Sequence, residues 1–254
     1  MKAIKEIGNI KVYIEESYEQ MGVKAADILE EELKINLSSV FGLATGSTPI
    51  SLYEEMIRRY QNGKLDFNLV KTFNLDEYYP MKKSNNQSYD YFMREKLFNH
   101  INMKDENINI PNGEAEDPVE ECLRYEEKLT AAGEIDVQIL GMGINGHIGF
   151  NEPNNSFSGE TNYVDLAPST IEANARFFQD INDVPKKAIT MGIGNIMQAK
   201  KIVLLVNSPE KASVLREALF GEVKPEIPAS ALQLHKNISV IITEDVAQLL
   251  FSEK

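Results

Sequence analysis

The sequence lacks the features that would assign it to a membrane or to an oxidising compartment. It has one cysteine, Cys122, which cannot form an internal disulfide, and this is typical of proteins from a reducing compartment. No apolar run approaches the roughly 20 residues that a membrane helix requires. The first residues, MKAIKEIGNIKVYIEES, are too polar and too charged for a signal peptide. We therefore expect a cytoplasmic protein without a membrane partner.

Positive charge and histidine are also scarce. The chain has 26 Lys and Arg residues against 39 Asp and Glu residues, which gives a net charge of −13. Since there is no basic run and no alternation of basic with aromatic residues, we exclude nucleic acid as a partner. The 3 histidines show no paired ligand spacing, so we expect no metal site and interpret His100 and His235 as structural. A small anionic ligand would need a local pocket of positive potential.

Apolar runs of strand length alternate with helical segments, without repeats, low-complexity tracts or linkers. Asp117 before Pro118, and Ser208 before Pro209, are predicted N-caps. The alternation predicts an α/β fold with a parallel sheet and helices on both faces, as a single domain over residues 1–254. Strands are predicted over residues 11–16, 39–44, 69–75, 136–141, 186–193, 201–207 and 238–243, and helices over 18–35, 50–60, 88–101, 118–132 and 208–221.

Ligands of parallel α/β sheets bind beyond the carboxyl ends of the strands, so the strand ends carry the functional prediction. The first is Ala44–Pro49, with the sequence ATGSTP. Its glycine allows close backbone approach, and its hydroxyl and N–H groups open a helix whose N-terminus favours an anion. No lysine follows the glycine, so this is not a Walker A loop. The segment indicates either a cradle for a single phosphate or a plain strand-to-helix turn capped by Ser or Thr.

The second strand end is Asn74–Pro80, with the sequence NLDEYYP. Two adjacent carboxylates here cannot both cap a helix, because Pro80 and the asparagines after it break any helix that starts at this point. One interpretation makes Asp76 a general base that points into a cleft. The other is a solvated turn, which the segment taken alone favours.

The third strand end, Gly141–Pro153, is the richest in chemistry and reads GMGINGHIGFNEP. Its first three glycines spell the dinucleotide-binding pattern, and Asp165 lies at a suitable distance beyond them. We reject that interpretation because the pattern requires a helix directly afterwards, which Gly149 and the prolines and asparagines that follow forbid. The predicted loop instead presents His147 and Glu152 as a proton-transfer pair. The alternative is a structural loop histidine.

Five segments, TGSTP, NLDEYYP, GINGHIGFNEP, ARFF and PEKA, occur in the order and approximate spacing of the glucosamine-6-phosphate deaminase family. The chain resembles this family from about residue 38 to residue 235. The resemblance implies a Rossmann-like α/β sandwich and a phosphosugar substrate. It also implies an isomerisation coupled to hydrolytic deamination, in which glucosamine 6-phosphate yields fructose 6-phosphate and ammonia without a cofactor. Members include monomers and homo-oligomers, so the resemblance leaves the oligomeric state open.

The resemblance also implies a role for individual residues. Asp76 corresponds to the base that moves a proton between C2 and C1 of the sugar. His147 corresponds to the residue that opens the sugar ring, and Glu152 to its partner. Asn145 stands where several relatives carry an aspartate that assists ring opening. The residues that correspond to the phosphate site are Thr45, Gly46, Ser47, Thr48, Arg176 and Lys211.

Several alternatives stay open at the level of sequence. Sequence distinguishes a glucosamine-6-phosphate deaminase poorly from a galactosamine-6-phosphate isomerase. A 6-phosphogluconolactonase-like hydrolase shares the general fold. A phosphosugar-sensing module without turnover is favoured only by Asn145. The stretch SFSGETNYVDL lacks the Arg and Lys that allosterically activated relatives place there. We therefore expect no activation by N-acetylglucosamine 6-phosphate.

Overall fold

The structure is a computed structural model that describes residues 3–252. Its strands are β1 Ala3–Ile7, β2 Ile10–Glu15, β3 Val40–Leu43, β4 Lys71–Asn74, β5 Asp76–Tyr79, β6 Ile108–Asn109, β7 Val137–Leu140, β8 Asn162–Asp165, β9 Lys187–Thr190, β10 Ile202–Val206 and β11 Ile238–Thr243. Its α-helices are α1 Tyr18–Ile35, α2 Ile50–Gln61, α3 Tyr89–Lys96, α4 Pro118–Ala132, α5 Pro168–Asn174, α6 Ile193–Met197, α7 Ala212–Phe220 and α8 Glu244–Leu250. None of the described helices combines the length and apolarity needed to cross a membrane.

The main sheet has eight strands in the order β1-β2-β11-β10-β7-β3-β4-β6. All its pairs are parallel except the edge pair of β1 with β2. Strands β3, β7, β10 and β11 are buried along their whole length, as their nearly continuous apolar sequences predict. The predicted α/β fold with a mostly parallel sheet is confirmed.

Each face of the sheet has its own apolar core. Helices α1, α2 and α3 cover one face, where Leu29, Leu52 and Met93 pack against Phe41 and Ile139. Helices α4, α6, α7 and α8 cover the other face, and they contribute Tyr125, Ile196, Leu215 and Val246 to its core. The sandwich leaves the carboxyl edge of the sheet to the connecting loops, which is where the site residues were predicted.

A second sheet of three antiparallel strands, β5-β9-β8, was not predicted. Residues 186–193 were expected to join the parallel sheet, but β9 pairs with β5 and β8 instead. The transition occurs at Leu75, whose N–H donates to Leu43 of the main sheet while its carbonyl accepts from Met191 N. The apolar sequence of β9 predicts a buried strand but carries no signal for the sheet that it joins.

The ends of the helices test the local predictions. Asp117 caps α4, because its Oδ1 accepts from Val119 N at 2.7 Å and from Glu120 N at 3.2 Å. The predicted cap by Ser208 is wrong: its side chain makes no capping bond, a 3₁₀ turn at Pro209–Lys211 follows, and α7 begins at Ala212. The helix predicted over 88–101 ends at residue 96, and a 3₁₀ turn follows at Phe98–His100.

Helices α1 and α2 approach each other closely at a glycine. A Cβ on Gly22 of α1 would lie 2.5 Å from the carbonyl oxygen of Ser51 and 2.6 Å from its Oγ. Tyr18, on the first turn of α1, donates its hydroxyl to Ser47 O at 2.6 Å and accepts from Ser51 N at 3.0 Å. The position of α1 therefore fixes the loop that precedes α2.

Gly22→Ala should destabilise the protein by roughly 1–3 kcal/mol, although alanine is the better helix former by about 1 kcal/mol. The added methyl group would overlap main-chain atoms, which cannot rotate away as a side chain can. Urea unfolding measures the change. Gly159→Ala is the control, since a Cβ there meets no atom within 4 Å. Equal or greater stability of the Gly22 variant would contradict the packing described here.

Candidate functional site

Loops from three adjacent strands, β4, β3 and β7, meet at the carboxyl edge of the sheet. A Cβ on Gly141, just after β7, would lie 4.0 Å from the Cβ of Thr48, which is in the loop after β3. A Cβ on Gly149 would lie 3.5 Å from Oδ2 of Asp76, the first residue after the β4 junction. The structure therefore brings together the three segments that the sequence singled out.

The loop after β3 is held from behind by two tyrosines. Tyr18 binds Ser47 O, as described above, and Tyr53 donates its hydroxyl to Ala44 O at 2.5 Å. Gly46 has a φ of 87°, a conformation that side chains other than glycine rarely adopt. No side chain caps α2, so the prediction of a turn capped by Ser or Thr is wrong. The loop leads directly into the N-terminus of α2, the end of a helix that favours an anion.

Asp76 is a buried carboxylate, only 6% exposed. The alternative interpretation of its segment as a solvated turn is therefore wrong. It lies opposite Thr190 in the β5–β9 pair. Within residues 3–252, no N–H or O–H group donates to its carboxylate. Burial, and then the charge of Glu77, raise the pKa of Asp76 to about 8. This group can therefore hold a proton near neutral pH, as a general base must after it has acted.

Glu77 has a different environment from its neighbour. Its carboxylate accepts from Tyr78 N at 2.9 Å, from Tyr89 N at 2.9 and 3.0 Å, and from Asp90 N at 3.0 Å. Burial raises its pKa to about 7, although these N–H groups act to lower it. Glu77 thus binds the start of α3, 12 residues further along the chain. This contact could not be predicted from the adjacent sequence, because the helix that Glu77 binds begins at Tyr89 and not next to the pair.

The loop after β7 is irregular, as predicted, and holds His147 against Glu152. The two side chains approach at 3.3 Å between Nδ1 and Oε2. A Cβ on Gly143 would overlap the imidazole ring, so this position needs glycine for the ring to lie where it does. Asn145 donates from Nδ2 to Oε2 of Glu152 at 2.7 Å, and its Oδ1 accepts from His147 N at 3.2 Å. Asn145 thus contacts both members of the pair.

Glu152 is held ionised by its neighbours. Burial acts to raise its pKa, but the hydrogen bond and charge of His147, together with hydrogen bonds from Thr170 and Asn145, lower it to about 2. The hydroxyl of Thr170, a buried residue of α5, donates to Oε1. Thr170 was missed in the sequence because it lies 18 residues beyond Glu152 and no local pattern marks it.

Lys211 and Arg176 lie close enough to affect each other. Burial, and then the charge of Arg176, lower the pKa of Lys211. Lys211 ends the 3₁₀ turn before α7, and Arg176 lies in the 3₁₀ turn after α5. The loop after β7 packs on α7, since a Cβ on Gly146 would lie 3.0 Å from Val214. Lys211 and Arg176 are therefore neighbouring cations, and Lys211 directly precedes the helix on which the loop after β7 packs.

The remaining histidines lie apart from this site. His235 Nε2 contacts Ala199 O at 2.7 Å, and its Nδ1 accepts from Asn237 N at 3.1 Å, a structural arrangement. His100 contacts Glu95 O at 2.8 Å on an exposed 3₁₀ turn. Among residues 3–252, no three His, Cys, Asp or Glu side chains are grouped so that they could hold a metal ion.

Comparison with known sequences gives matches over nearly the whole chain. Residues 14–241 match the profile of a family described as glucosamine-6-phosphate isomerases/6-phosphogluconolactonase. A Clostridioides difficile protein named glucosamine-6-phosphate deaminase is 50% identical over 241 residues, which cover 95% of this chain and 97% of the relative. A Thermoanaerobacter sp. protein of the same name is 50% identical over 244 residues, which cover 96% of each.

Solved structures give the same result at the level of the fold. A monomeric glucosamine-6-phosphate deaminase superposes with a TM-score of 0.91 at 43% identity, covering 94% of this chain and 99% of its own. The 6-phosphogluconolactonase of Thermotoga maritima superposes with a TM-score of 0.73 at 21% identity, covering 91% and 98%. The second likeness is one of fold alone.

The burial of Asp76 predicts how stability depends on pH. Its pKa is about 8 in the folded protein against an ordinary value of 3.8, so the folded state binds more protons between these values and loses stability as pH rises. Asp76→Asn removes this loss. As pH rises from about 5 to about 8, the free energy of unfolding of the variant should increase by roughly 1–3 kcal/mol relative to that of the wild type.

Urea unfolding across this pH range measures the gain. Asp183→Asn, at an exposed position of a 3₁₀ turn, is the matched control. Its free energy of unfolding should depend on pH in the same way as that of the wild type. Parallel curves for Asp76→Asn as well would contradict a raised pKa.

Proposed function

Because this chain belongs to the family of glucosamine-6-phosphate isomerases and 6-phosphogluconolactonases, we propose that it is a glucosamine-6-phosphate deaminase. Glucosamine 6-phosphate and water would yield fructose 6-phosphate and ammonia. The relatives with 50% identity carry this name, and so does the solved structure with 43% identity. The family resemblance that the five motifs indicated is confirmed by these matches. The structural observation that supports the proposal is the buried Asp76 beside the loop that carries His147 and Glu152.

Ring opening is the proposed task of His147. The ionised Glu152 lies 3.3 Å from Nδ1 of the imidazole and orients the ring. The imidazole accepts the proton of the anomeric hydroxyl as the bond between C1 and the ring oxygen breaks. The ring oxygen then receives a proton and becomes the C5 hydroxyl. Asn145 carries no charge, so in this proposal it orients Glu152 and does not share the proton.

Enolisation is the proposed task of Asp76. Its carboxylate removes the proton from C2 of the open-chain aldehyde, and the electron pair moves onto O1. A proton passes from the ammonium group of the substrate to O1, which gives an enolamine. The proton returns at C1, which leaves a ketimine at C2. Water adds to C2, and the C–N bond breaks to release ammonia and the ketose. The cationic amino group of the substrate favours the ionised form of a carboxylate whose pKa burial has raised to about 8.

Phosphate binding is the proposed task of the loop after β3 together with two cations. Thr45, Gly46, Ser47 and Thr48 would supply hydroxyl and N–H donors, and Lys211 and Arg176 would close on the anion. Charge-assisted hydrogen bonds of this kind contribute roughly 1.5–3 kcal/mol each. Binding energy gained at the phosphate can orient C1 and C2 between Asp76 and His147. This cluster also explains how a protein with a net charge of −13 can bind an anion.

The setting of the enzyme follows the sequence-based predictions. We place it in the cytoplasm because its single cysteine is buried and free. A single domain over residues 1–254, and the absence of an allosteric site for N-acetylglucosamine 6-phosphate, are also predictions. A relative of 43% identity is described as monomeric, and this chain is proposed as a monomer or a homo-oligomer.

A coupled ammonia assay tests the proposed function. Glucosamine 6-phosphate should release ammonia and fructose 6-phosphate, with a hyperbolic dependence on substrate that N-acetylglucosamine 6-phosphate does not change. Galactosamine 6-phosphate, assayed in parallel, decides the preference at C4. Asp76→Asn should lower the rate by roughly 10²–10⁴-fold and should abolish solvent deuterium incorporation at C1. Acid release from 6-phosphogluconolactone without any ammonia from either amino sugar would overturn the proposal.

Lys211→Met tests the phosphate site. The substitution should raise KM for the phosphosugar by roughly 10–100-fold, with a smaller change in kcat, because one charge-assisted contact is lost. Inhibition by inorganic phosphate should weaken in parallel. Lys104→Met, at an exposed position, is the control. An unchanged KM for the Lys211 variant would remove this residue from the site.

A further inference from the structure

Asp76 and Glu77 are adjacent buried carboxylates that the protein treats differently. They are neighbours on β5, where successive side chains point to opposite faces of the strand. Asp76 faces Gly149 in the loop after β7. Glu77 faces the start of α3, where both of its oxygens accept main-chain N–H groups. One carboxylate therefore faces the loop that carries His147, and the other is bonded to the start of α3.

The hydrogen bonds decide which of the two carboxylates is ionised. N–H donors and a helix N-terminus stabilise the charged form of Glu77. Asp76 has no such donor within the described residues. When the pair carries one proton, that proton therefore lies on Asp76. The charge of Glu77 in turn makes the proton of Asp76 harder to remove, because two adjacent anions repel each other in a buried site.

Within residues 3–252, no charge other than that of Glu77 shifts the pKa of Asp76. Burial raises the pKa of Tyr78, Tyr89 and Tyr125, so these side chains are neutral beside Asp76. The charged groups on the elements that pack against β5 are already paired: Asp90 with Arg94 on α3, Lys187 with Asp165 between β9 and β8, and His147 with Glu152 in the loop after β7.

We propose that Glu77 is a positioning residue that acts through Asp76: its negative charge strengthens Asp76 as a base, and its bonds to α3 hold that base in place. The inference rests on the proposed role of Asp76 in enolisation. A stronger base removes the C2 proton more readily, and the resulting neutral acid suits a buried site. Glu77 itself touches neither the sugar nor its reacting carbons in this scheme.

The pH dependence of kcat/KM in Glu77→Gln tests the electrostatic part. Removing the charge should move the acid limb of the profile to lower pH by roughly one unit and should lower the plateau several-fold. Ser88→Ala is the matched control. Its Oγ caps the same helix by accepting from Tyr91 N at 3.0 Å, so this variant loosens α3 without changing the charge beside Asp76. Its acid limb should stay at the wild-type position.

Two further measurements keep the test independent of how well Glu77→Gln folds. Glu77→Asp retains the charge, so it should retain the acid limb even where kcat falls. An infrared titration of the wild-type protein follows the carboxylic acid C=O band that Asp76→Asn removes. That band should be the last of the buried carboxyl bands to disappear as pH rises.

Three results would overturn the inference. The acid limb of the pH profile could stay in place in Glu77→Gln, or it could move equally in Ser88→Ala. In the infrared titration, the band of Asp76 could disappear before that of Glu77. These outcomes are separate from failure of the proposed function, which would show as a wild-type protein that releases no ammonia. The infrared titration needs no activity and reports on Glu77 in either case.

Discussion

The site depends on the way Leu75 joins two sheets. Its N–H donates to Leu43 in the parallel sheet, and its carbonyl accepts from Met191 beside the antiparallel one. The next residue, Asp76, therefore begins a strand at the junction, where the carboxyl edge of the main sheet meets the loop after β7. A carboxylate in this place is removed from water without receiving donors in exchange. A buried charge normally receives hydrogen bonds from the protein in place of those from water. Because Asp76 receives none from the described residues, its burial raises its pKa.

Charge within the site is divided into two like-charged pairs. Glu77 raises the proton affinity of Asp76 in one pair, and Arg176 lowers that of Lys211 in the other. Burial is the larger cause of the shift in both pairs, and Glu210 acts on Lys211 in the opposite direction to Arg176. In the proposed function, the cationic amine and the phosphate of the substrate carry charges opposite to those of the two pairs.

The sequence predicted those features that depend on residues close together in the chain. The buried strands, the cap of α4 by Asp117 and the irregular loop with His147 and Glu152 follow from apolar runs, capping residues and glycines. The sheet β5-β9-β8, the hydrogen bond of Thr170 and the contact of Glu77 with α3 could not be predicted in this way. Each joins residues that are distant in sequence, and each depends on where the main sheet ends. Ser208 was misjudged because a 3₁₀ turn satisfies the start of α7 without a side-chain cap.

Asn145 shows how the placement of donors also distinguishes Glu152 from Asp76. Glu152 receives hydrogen bonds from Asn145 and Thr170 and lies against His147, and its pKa falls to about 2, whereas Asp76 receives none and its pKa rises. An aspartate at position 145 would place a second anion beside Glu152 and remove a donor from it. The amide instead donates to Glu152 and accepts from the main chain of His147. Asn145 therefore supports the ionised form of the carboxylate that lies against the histidine.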